Sequence, residues 1–406
     1  MVSNEKCSMN RRTFIKAGIA GTAAALIAPP VFAETLQQMT ASDATTVTKP
    51  VYRTLGRTGL KITVVSFGAM LTPEPEVIRV AIDQGINYIN TARKYMGGKN
   101  EETVGKAVKG LRDKIYIATK VLSESRTKVE IIRDVETSLK ALGTDYIDVI
   151  QLHDLTGVEK LNVVETKEAL TQLKKQGKVR FCGVTTHQNE TAVLNALADD
   201  PDRFFDTCLV KYNFKSDKAV SIAIDRAAAA GVGIIAMKTQ IGGYDVKGLG
   251  KISPHQAALK WVLQNPNVTA AIPGMKDLTE LREDIAVMGM PFKYADLRRL
   301  DRYSAAITPF YCSFCGTCEA GCPRGVEIST INRALMYAEG GYRDISLARA
   351  TYAELPPQST AAACVECEGC TARCANGLNI ASRIERARKV LTCKDERLQG
   401  DAPTVL

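Results

Sequence analysis

Eight of the twelve cysteines in this 406-residue chain fall into two runs of identical spacing. Cys312, Cys315, Cys318 and Cys322 form C-x2-C-x2-C-x3-C, and Cys364, Cys367, Cys370 and Cys374 repeat it 52 residues further on. Three thiols two residues apart, a fourth after three more, and Pro323 directly behind make the bacterial [4Fe–4S] ligand run, whose chemistry is one-electron transfer. Structural zinc is the alternative. Zinc sites usually combine two separated Cys or Cys/His pairs into one tetrahedron. Here each run carries its own fourth cysteine, although the second ends in Ala375 where the first has proline.

In two-cluster ferredoxins the fourth cysteine of one run serves the other cluster. By that precedent Cys312, Cys315, Cys318 and Cys374 hold one cluster, and Cys364, Cys367, Cys370 and Cys322 the other. The repeat continues past the ligands, with Gly325, Val326 and Ile328 returning as Gly377, Leu378 and Ile380. Apolar residues then recur three and four apart, at Ile328, Ile331 and Leu335 and at Ile380, Ile384, Ala387 and Leu391, the period of a helix face. Small ferredoxins place β-hairpins between their runs. The spacing here predicts instead a mainly helical, two-cluster ferredoxin-like domain over residues 303–396, followed by a tail at 397–406.

A second group could do chemistry on a carbonyl. Asn90, Tyr95, Lys120 and His153 each stand at or just beyond the end of an apolar, β-rich run, as in Ile-Ala-Thr-Lys and Val-Ile-Gln-Leu-His. A phenol can give its proton to a carbonyl oxygen as hydride reaches the carbon. At its ordinary pKa near 10 it is a poor acid, and a neighbouring ammonium such as Lys120 would lower that value. His153 could orient the substrate oxygen. One such histidine alone would read as structural; three groups from adjacent strands plus a tyrosine read as a site.

The elements that must position these residues alternate. Candidate strands are Ile62–Phe67, Tyr88–Asn90, Ile115–Thr119, Ile147–Leu152, Arg180–Thr185, Cys208–Val210, Gly233–Met237 and Thr269–Ile272. Helical patterns such as Thr127–Leu142 and Val163–Lys175 separate them. Eight βα units over residues 51–295 predict an α/β fold, a (β/α)8 TIM barrel, with chemistry at the C-terminal ends of its strands. A doubly wound open sheet competes, but no G-x-G-x-x-G follows the first strand. Trp261 reads as core packing, His255 as a surface or capping residue, and Gly242-Gly243 with Gly248 to Gly250 as a mobile loop.

Residues 51–290 resemble the aldo-keto reductase family. The likeness rests on the stretch from Tyr52 to Leu60, on Gly85-Ile86-Asn87-Tyr88-Ile89-Asn90-Thr91-Ala92-Arg93-Lys94-Tyr95, and on the Lys120 strand. It continues through Asp145-Tyr146-Ile147-Asp148-Val149-Ile150-Gln151-Leu152-His153 and Gly177-Lys178-Val179-Arg180-Phe181-Cys182-Gly183-Val184-Thr185. The resemblance implies a (β/α)8 barrel, a small carbonyl or alcohol substrate, and a catalytic Asp–Tyr–Lys–His tetrad that falls on Asn90, Tyr95, Lys120 and His153. It implies NADP(H) or NAD(H) as a possible cofactor, with contacts at Thr185, Thr186, Lys238, Gly274 and Lys276.

The chain departs from that pattern. Asn90 replaces the tetrad carboxylate, so it can hydrogen-bond Lys120 but supplies no charge. Thr185-Thr186-His187 stands where the family shows Ser-Asn, and Leu209 where it shows Gln. The arginine that grips the 2′-phosphate of NADP aligns near Glu280, with Lys276 and Arg282 close by. A non-catalytic electron-transfer or partner-binding subunit built on a degenerate barrel is the competing expectation.

The remaining features bear on location. Asn10-Arg11-Arg12-Thr13-Phe14-Ile15-Lys16, a weakly apolar stretch from Ala17 to Ala28, and Val31-Phe32-Ala33 predict a twin-arginine signal peptide over residues 1–33, a linker at 34–50, and a periplasmic protein. The twin-arginine export machinery carries proteins already folded around their cofactors, which suits iron–sulfur centres. Free NADP(H) is not expected in the periplasm, so electrons would come from a carried cofactor or an external redox partner. The net charge of +9 has no basic run behind it, which gives nucleic-acid binding no support. Cys182, Cys208 and Cys393, the mature chain's leftovers, form no disulfide framework.

Overall fold

The computed structural model describes residues 49–122, 126–249, 252–367 and 369–392. The expected signal peptide, all but the last two residues of the linker, and the tail lie outside the described residues. A short hairpin, β1 (Tyr52–Thr54) and β2 (Lys61–Thr63), precedes eight parallel strands. These are β3 (Phe67–Gly68), β4 (Tyr88–Asn90), β5 (Tyr116–Leu122), β6 (Ile147–His153), β7 (Val179–Thr186), β8 (Thr207–Lys211), β9 (Gly233–Met237) and β10 (Ala270–Ala271). They pair in sequence order from β3 to β10. Parallel bridges Val65–Ala271 and Gly68–Gly274 join the first strand to the last, so the sheet closes into a barrel.

The helices return the chain between strands: α1 (Pro75–Asp83), α2 (Asn100–Val108), α3 (Lys128–Leu142), α4 (Val164–Lys175), α5 (Glu190–Asp199), α6 (Lys218–Ala229) and α7 (Pro254–Leu263), then α8 (Leu278–Ile285) after the last strand. Their ends follow local chemistry. Thr127 and Glu130 form a reciprocal capping box at the start of α3, and Gly143 ends that helix in the left-handed region. The one expected strand Ile62–Phe67 is two, because the chain turns between them. The Ser66 hydroxyl donates back to the Thr63 carbonyl at 2.7 Å, and Asn87 Oδ1 accepts from the Thr63 amide at 3.0 Å.

Two apolar layers result. Strand side chains and helices pack outside the barrel wall. Inside, Tyr88, Ala118, Val149, Leu209, Ile235 and Ala270 meet Leu55, Leu60 and Ile62 of the hairpin, which plugs the N-terminal end. The plug needs glycine at Gly56, where φ is +48° and a Cβ would lie 2.4 Å from the Gly233 nitrogen.

Helix α9 (Tyr294–Ile307) leads out of the barrel and runs through the expected domain boundary at 303. It is fixed to α7 by the buried pair Lys260–Asp296 at 2.6 Å. Beyond it, α10 (Ile328–Glu339), α11 (Ile345–Ala353) and α12 (Ile380–Leu391) surround a third core, which Ile241 and Tyr244 of the β9–α7 loop enter. Arg383 donates to Glu339 at 2.7 Å and to Asn332 at 3.0 Å, tying α12 to α10. The spacer between the cysteine runs is helical, and the described residues form one compact unit.

Candidate active site and thiol clusters

Strand register sets the barrel site. Lys120 pairs with Gln151 across β5 and β6, and Asn90 ends β4 beside Ala118. Lys120 is buried, and its Nζ donates to Asn90 Oδ1 at 2.5 Å and to the Thr91 carbonyl at 2.7 Å. Asn90 Nδ2 in turn donates to Gln151 Oε1 at 3.0 Å. An ammonium held by neutral oxygens in an apolar wall is costly. Burial accordingly brings the Lys120 pKa down to about 7, opposed by Glu101 and aided by Lys238. Glu101, buried at the start of α2 and bound to Arg93 at 3.0 Å and Thr119 at 2.7 Å, is the carboxylate whose charge supports the Lys120 ammonium.

Tyr95 stands in a short turn before α2, half-buried, with the Lys120 ammonium 4.7 Å from its ring centroid and the His153 ring edge-on at 6.0 Å. Burial pushes the Tyr95 phenol up, and the cation that opposes this is Lys238, where the sequence pointed to Lys120. Burial and the Lys120 charge hold His153 well below the usual histidine range, so it is neutral at pH 7. The structure therefore brings Asn90, Tyr95, Lys120 and His153 to one end of the barrel.

Asn90, Tyr95 and His153 line a cavity of about 1050 Å³ whose opposite wall comes from α10, α11 and the turn between them. Arg333 donates to Asp154 at 2.9 Å, and Asp154 also pairs with His187 at 2.7 Å. Lys238 Nζ donates to the Tyr337 hydroxyl at 3.0 Å. Lys276 Nζ donates to the Gly341 carbonyl at 2.6 Å and pairs with Glu280 at 3.1 Å. Backbones touch where glycines permit: the Gly341 amide donates to the Gly242 carbonyl at 2.9 Å. A Cβ on Gly340 would lie 2.4 Å from the Gly242 oxygen. The loop that reads as mobile is thus held by the module.

Of the expected cofactor contacts, Lys238, Gly274 and Lys276 line the cavity, and so does Leu209. Thr185 and Thr186 do not. Both are buried, Thr185 Oγ1 accepting from the Asp154 amide at 2.7 Å and Thr186 Oγ1 donating to the Leu155 carbonyl at 2.8 Å. The next residue, His187, reaches the cavity instead. His255 is no cap: Ser253 caps α7, while His255 sits edge-on to Tyr303 at 5.8 Å and lines the cavity. Sequence reading missed Glu101, Asp154, Arg333, Tyr337 and Tyr342. Only Arg333 and Tyr337 left a signal, being polar and four apart on one face of a helix.

The thiols gather in two sets. Burial pushes the Cys312 thiol up to about 12, and the nearby thiols of Cys318, Cys374 and Cys315 act in the same direction. Cys364 has Cys322, Cys367 and Cys370. Each set therefore takes its fourth member from the other run. Asn376 Nδ2 donates to Ser313 Oγ at 2.8 Å, and Thr371 Oγ1 to the Gly321 carbonyl at 2.8 Å, which holds the runs crosswise. Cys322, Cys364, Cys367 and Cys370 line one cavity of about 140 Å³, otherwise walled by Val326, Ile328, Ala372 and Ile384 among others. Backbone amides reach sulfur in the first set, Phe314 to Cys312 and Asn376 to Cys374, both at 3.4 Å. Among the described residues no three Cys, His, Asp or Glu converge tightly enough for a single ion. Four thiols lining an apolar cavity of this size are a donor set that a [4Fe–4S] cluster could use.

Residues 73–244 match the aldo/keto reductase family. Over 128 residues the chain is 41% identical to the aldo-keto reductase YhdN of Bacillus subtilis, covering 28% of this chain and 37% of that protein. It is 27% identical to the methylglyoxal reductase YeaE of Escherichia coli, over 56% of this chain and 84% of that one. The chain spans only 37 to 49% of the first curated relatives it matches. An aldo-keto reductase from Klebsiella pneumoniae, solved in complex with NADPH, superposes with a TM-score of 0.53 at 27% identity, over 62% of this chain and 95% of that one. The barrel is thus similar to aldo/keto reductases in sequence over residues 73–244 and in fold.

Proposed function

We propose that this chain is an iron–sulfur oxidoreductase that interconverts a small carbonyl compound and its alcohol at the barrel mouth, with two [4Fe–4S] clusters in the C-terminal module passing electrons. The observation that carries the reading is one cavity with Tyr95 and His153 on its barrel wall and the cysteine-bearing module as its other wall. Cys312, Cys315, Cys318 and Cys374 would hold one cluster, and Cys322, Cys364, Cys367 and Cys370 the other. A nicotinamide supplies hydride when bound, and the clusters supply single electrons. The complex of the Klebsiella relative with NADPH supports a dinucleotide in the barrel, at Lys238, Gly274 and Lys276.

The chain's own residues do the acid–base work. Tyr95 gives its phenolic proton to the carbonyl oxygen as the carbon gains hydride, and takes it back in the reverse direction. Neutral His153 orients that oxygen by a hydrogen bond. Asn90 and Thr91 hold Lys120 against the Tyr95 ring. In the leading reading the protein leaves the cytoplasm by the twin-arginine machinery, works in the periplasm and exchanges electrons with an external redox partner.

A second reading, a non-catalytic electron carrier, is favoured by Asn90, by Leu209, and by the commitment of Lys276 to the module's Gly341 carbonyl. Titrating anaerobic protein with NADPH and NADH, followed by nicotinamide fluorescence, separates the two. The enzyme reading expects saturable binding and turnover that Tyr95→Phe abolishes. No binding, with electron transfer unchanged in Tyr95→Phe, would make it a carrier.

A further inference from the structure

The two thiol sets are tied to the rest of the molecule differently. The first is gripped by the barrel. Lys211, the last residue of β8, is buried, and its Nζ donates to the Ser313 carbonyl at 2.5 Å. Ser313 stands between Cys312 and Cys315, and its Oγ accepts from Asn376 Nδ2 at 2.8 Å, two residues past Cys374. One barrel side chain therefore holds the point where the two cysteine runs of this set meet. The second set lines a cavity bounded by module residues, with Arg388 of α12 on its wall. Among the described residues no backbone amide donates to a sulfur of that set; Cys370 Sγ faces the Ala372 carbonyl at 4.0 Å.

The contact at Ser313 has a direction. In a planar trans peptide the carbonyl and the following amide point opposite ways. The carbonyl of the Ser313–Phe314 peptide faces Lys211, and the amide of the same peptide donates to Cys312 Sγ at 3.4 Å. Phe314 is left-handed there, with φ of +59°, a conformation that costs an aromatic residue free energy and that its surroundings must enforce. An ammonium on the carbonyl enforces it, and polarises the N–H toward the sulfur. Glu190, at the start of α5, lies 2.7 Å from the same Nζ and offsets part of its charge.

We propose that Lys211 is a positioning residue that aims the Phe314 amide at Cys312, and so raises the reduction potential of one cluster, the one at Cys312, Cys315, Cys318 and Cys374. The inference rests on the two-cluster reading of the thiols. A reduced cluster carries one more negative charge than an oxidised one, so a donor on a ligand sulfur and a nearby cation both favour the reduced form. The barrel thereby sets the potential of the cluster it touches, while the other responds to module residues.

The test reads potentials, without turnover. Full-length, anaerobically prepared protein is followed by electron paramagnetic resonance through a mediated redox titration. Lys211→Met should lower one of two midpoints by about 59 mV, a tenfold change in the reduced-to-oxidised ratio of a one-electron couple, and leave the other in place. Lys211→Arg should return most of the shift. Glu190→Gln keeps Lys211 and removes the carboxylate that offsets it, so it should raise the same midpoint, a sign that a loosened module would not give. Cys374→Ser should abolish the midpoint that responds to Lys211. Unchanged midpoints in Lys211→Met, equal shifts of both, or a fall in Glu190→Gln would overturn the proposal and leave the two-cluster reading intact. Wild-type protein that holds no cluster removes that reading, and this inference with it.

Discussion

The barrel mouth and the cysteine module gather ionisable groups in different ways. At the mouth, Lys120 is held by an amide and a carbonyl and Lys238 by two aromatic side chains, while Asp154, Glu280, Glu283 and Asp284 line the same cavity. In the module, four thiols crowd together twice, and in the first set each neighbour makes ionisation of Cys312 harder. The first arrangement satisfies its two ammoniums with protein groups. The second gathers the thiols that the proposed clusters would take as ligands. The seam between them joins backbone to backbone, Gly340-Gly341 against Gly242-Gly243, and is crossed by the ion pairs Arg333–Asp154 and Lys94–Glu354.

Breaking the module should have the largest effect. Cys374→Ser should remove the same cluster as Cys312→Ser, and Cys322→Ser the same one as Cys364→Ser, each losing about half of the iron. Iron analysis with electron paramagnetic resonance of the reduced protein checks the pairing. Loss of the Cys364-type signal in Cys374→Ser would undo the crosswise assignment. Breaking the mouth comes next. Tyr95→Phe should lower carbonyl turnover by about 10²–10⁴-fold, the usual worth of a positioned acid, with iron content unchanged.

Breaking the seam costs less. Gly340→Ala places a methyl 2.4 Å from the Gly242 oxygen and should cost about 1–3 kcal/mol of stability in denaturant titration. The smallest effect sharpens the contrast at Lys120. Its folded pKa, about 7, lies below its ordinary 10.5, so the unfolded chain holds the proton over that interval and stability rises with pH across it. Relative to Lys120→Met, the wild type should gain about 1 kcal/mol from pH 7 to pH 8 in urea titrations at the two pH values. A flat difference would mean that the ammonium is not desolvated.

The two regions were not equally legible in the sequence. Strand-end residues project into a barrel mouth because parallel strands all point one way, so Asn90, Tyr95, Lys120 and His153 could be placed together from position alone. Helix α3 was readable to within one residue through Thr127, its cap. The split of residues 62–67 was not, because one side-chain hydrogen bond from Ser66 decides it. That Thr185 and Thr186 do not line the cavity was hidden for a related reason. Residues alternate sides along a strand, but here both hydroxyls bind loop backbone, and the loop residues His187 and Gln188 reach the cavity. The far wall was hidden because it depends on how α10 docks. Arg333 and Tyr337 share a helix face, yet nothing local says that Asp154 and Lys238 lie opposite.

The central claim is two iron–sulfur cubes beside a carbonyl pocket. Iron and acid-labile sulfide analysis of the anaerobically purified full chain tests it most directly. About eight iron and eight sulfide per chain, with a brown colour that dithionite bleaches, is the predicted result. Colourless protein carrying stoichiometric zinc, or no metal after anaerobic reconstitution, would contradict it.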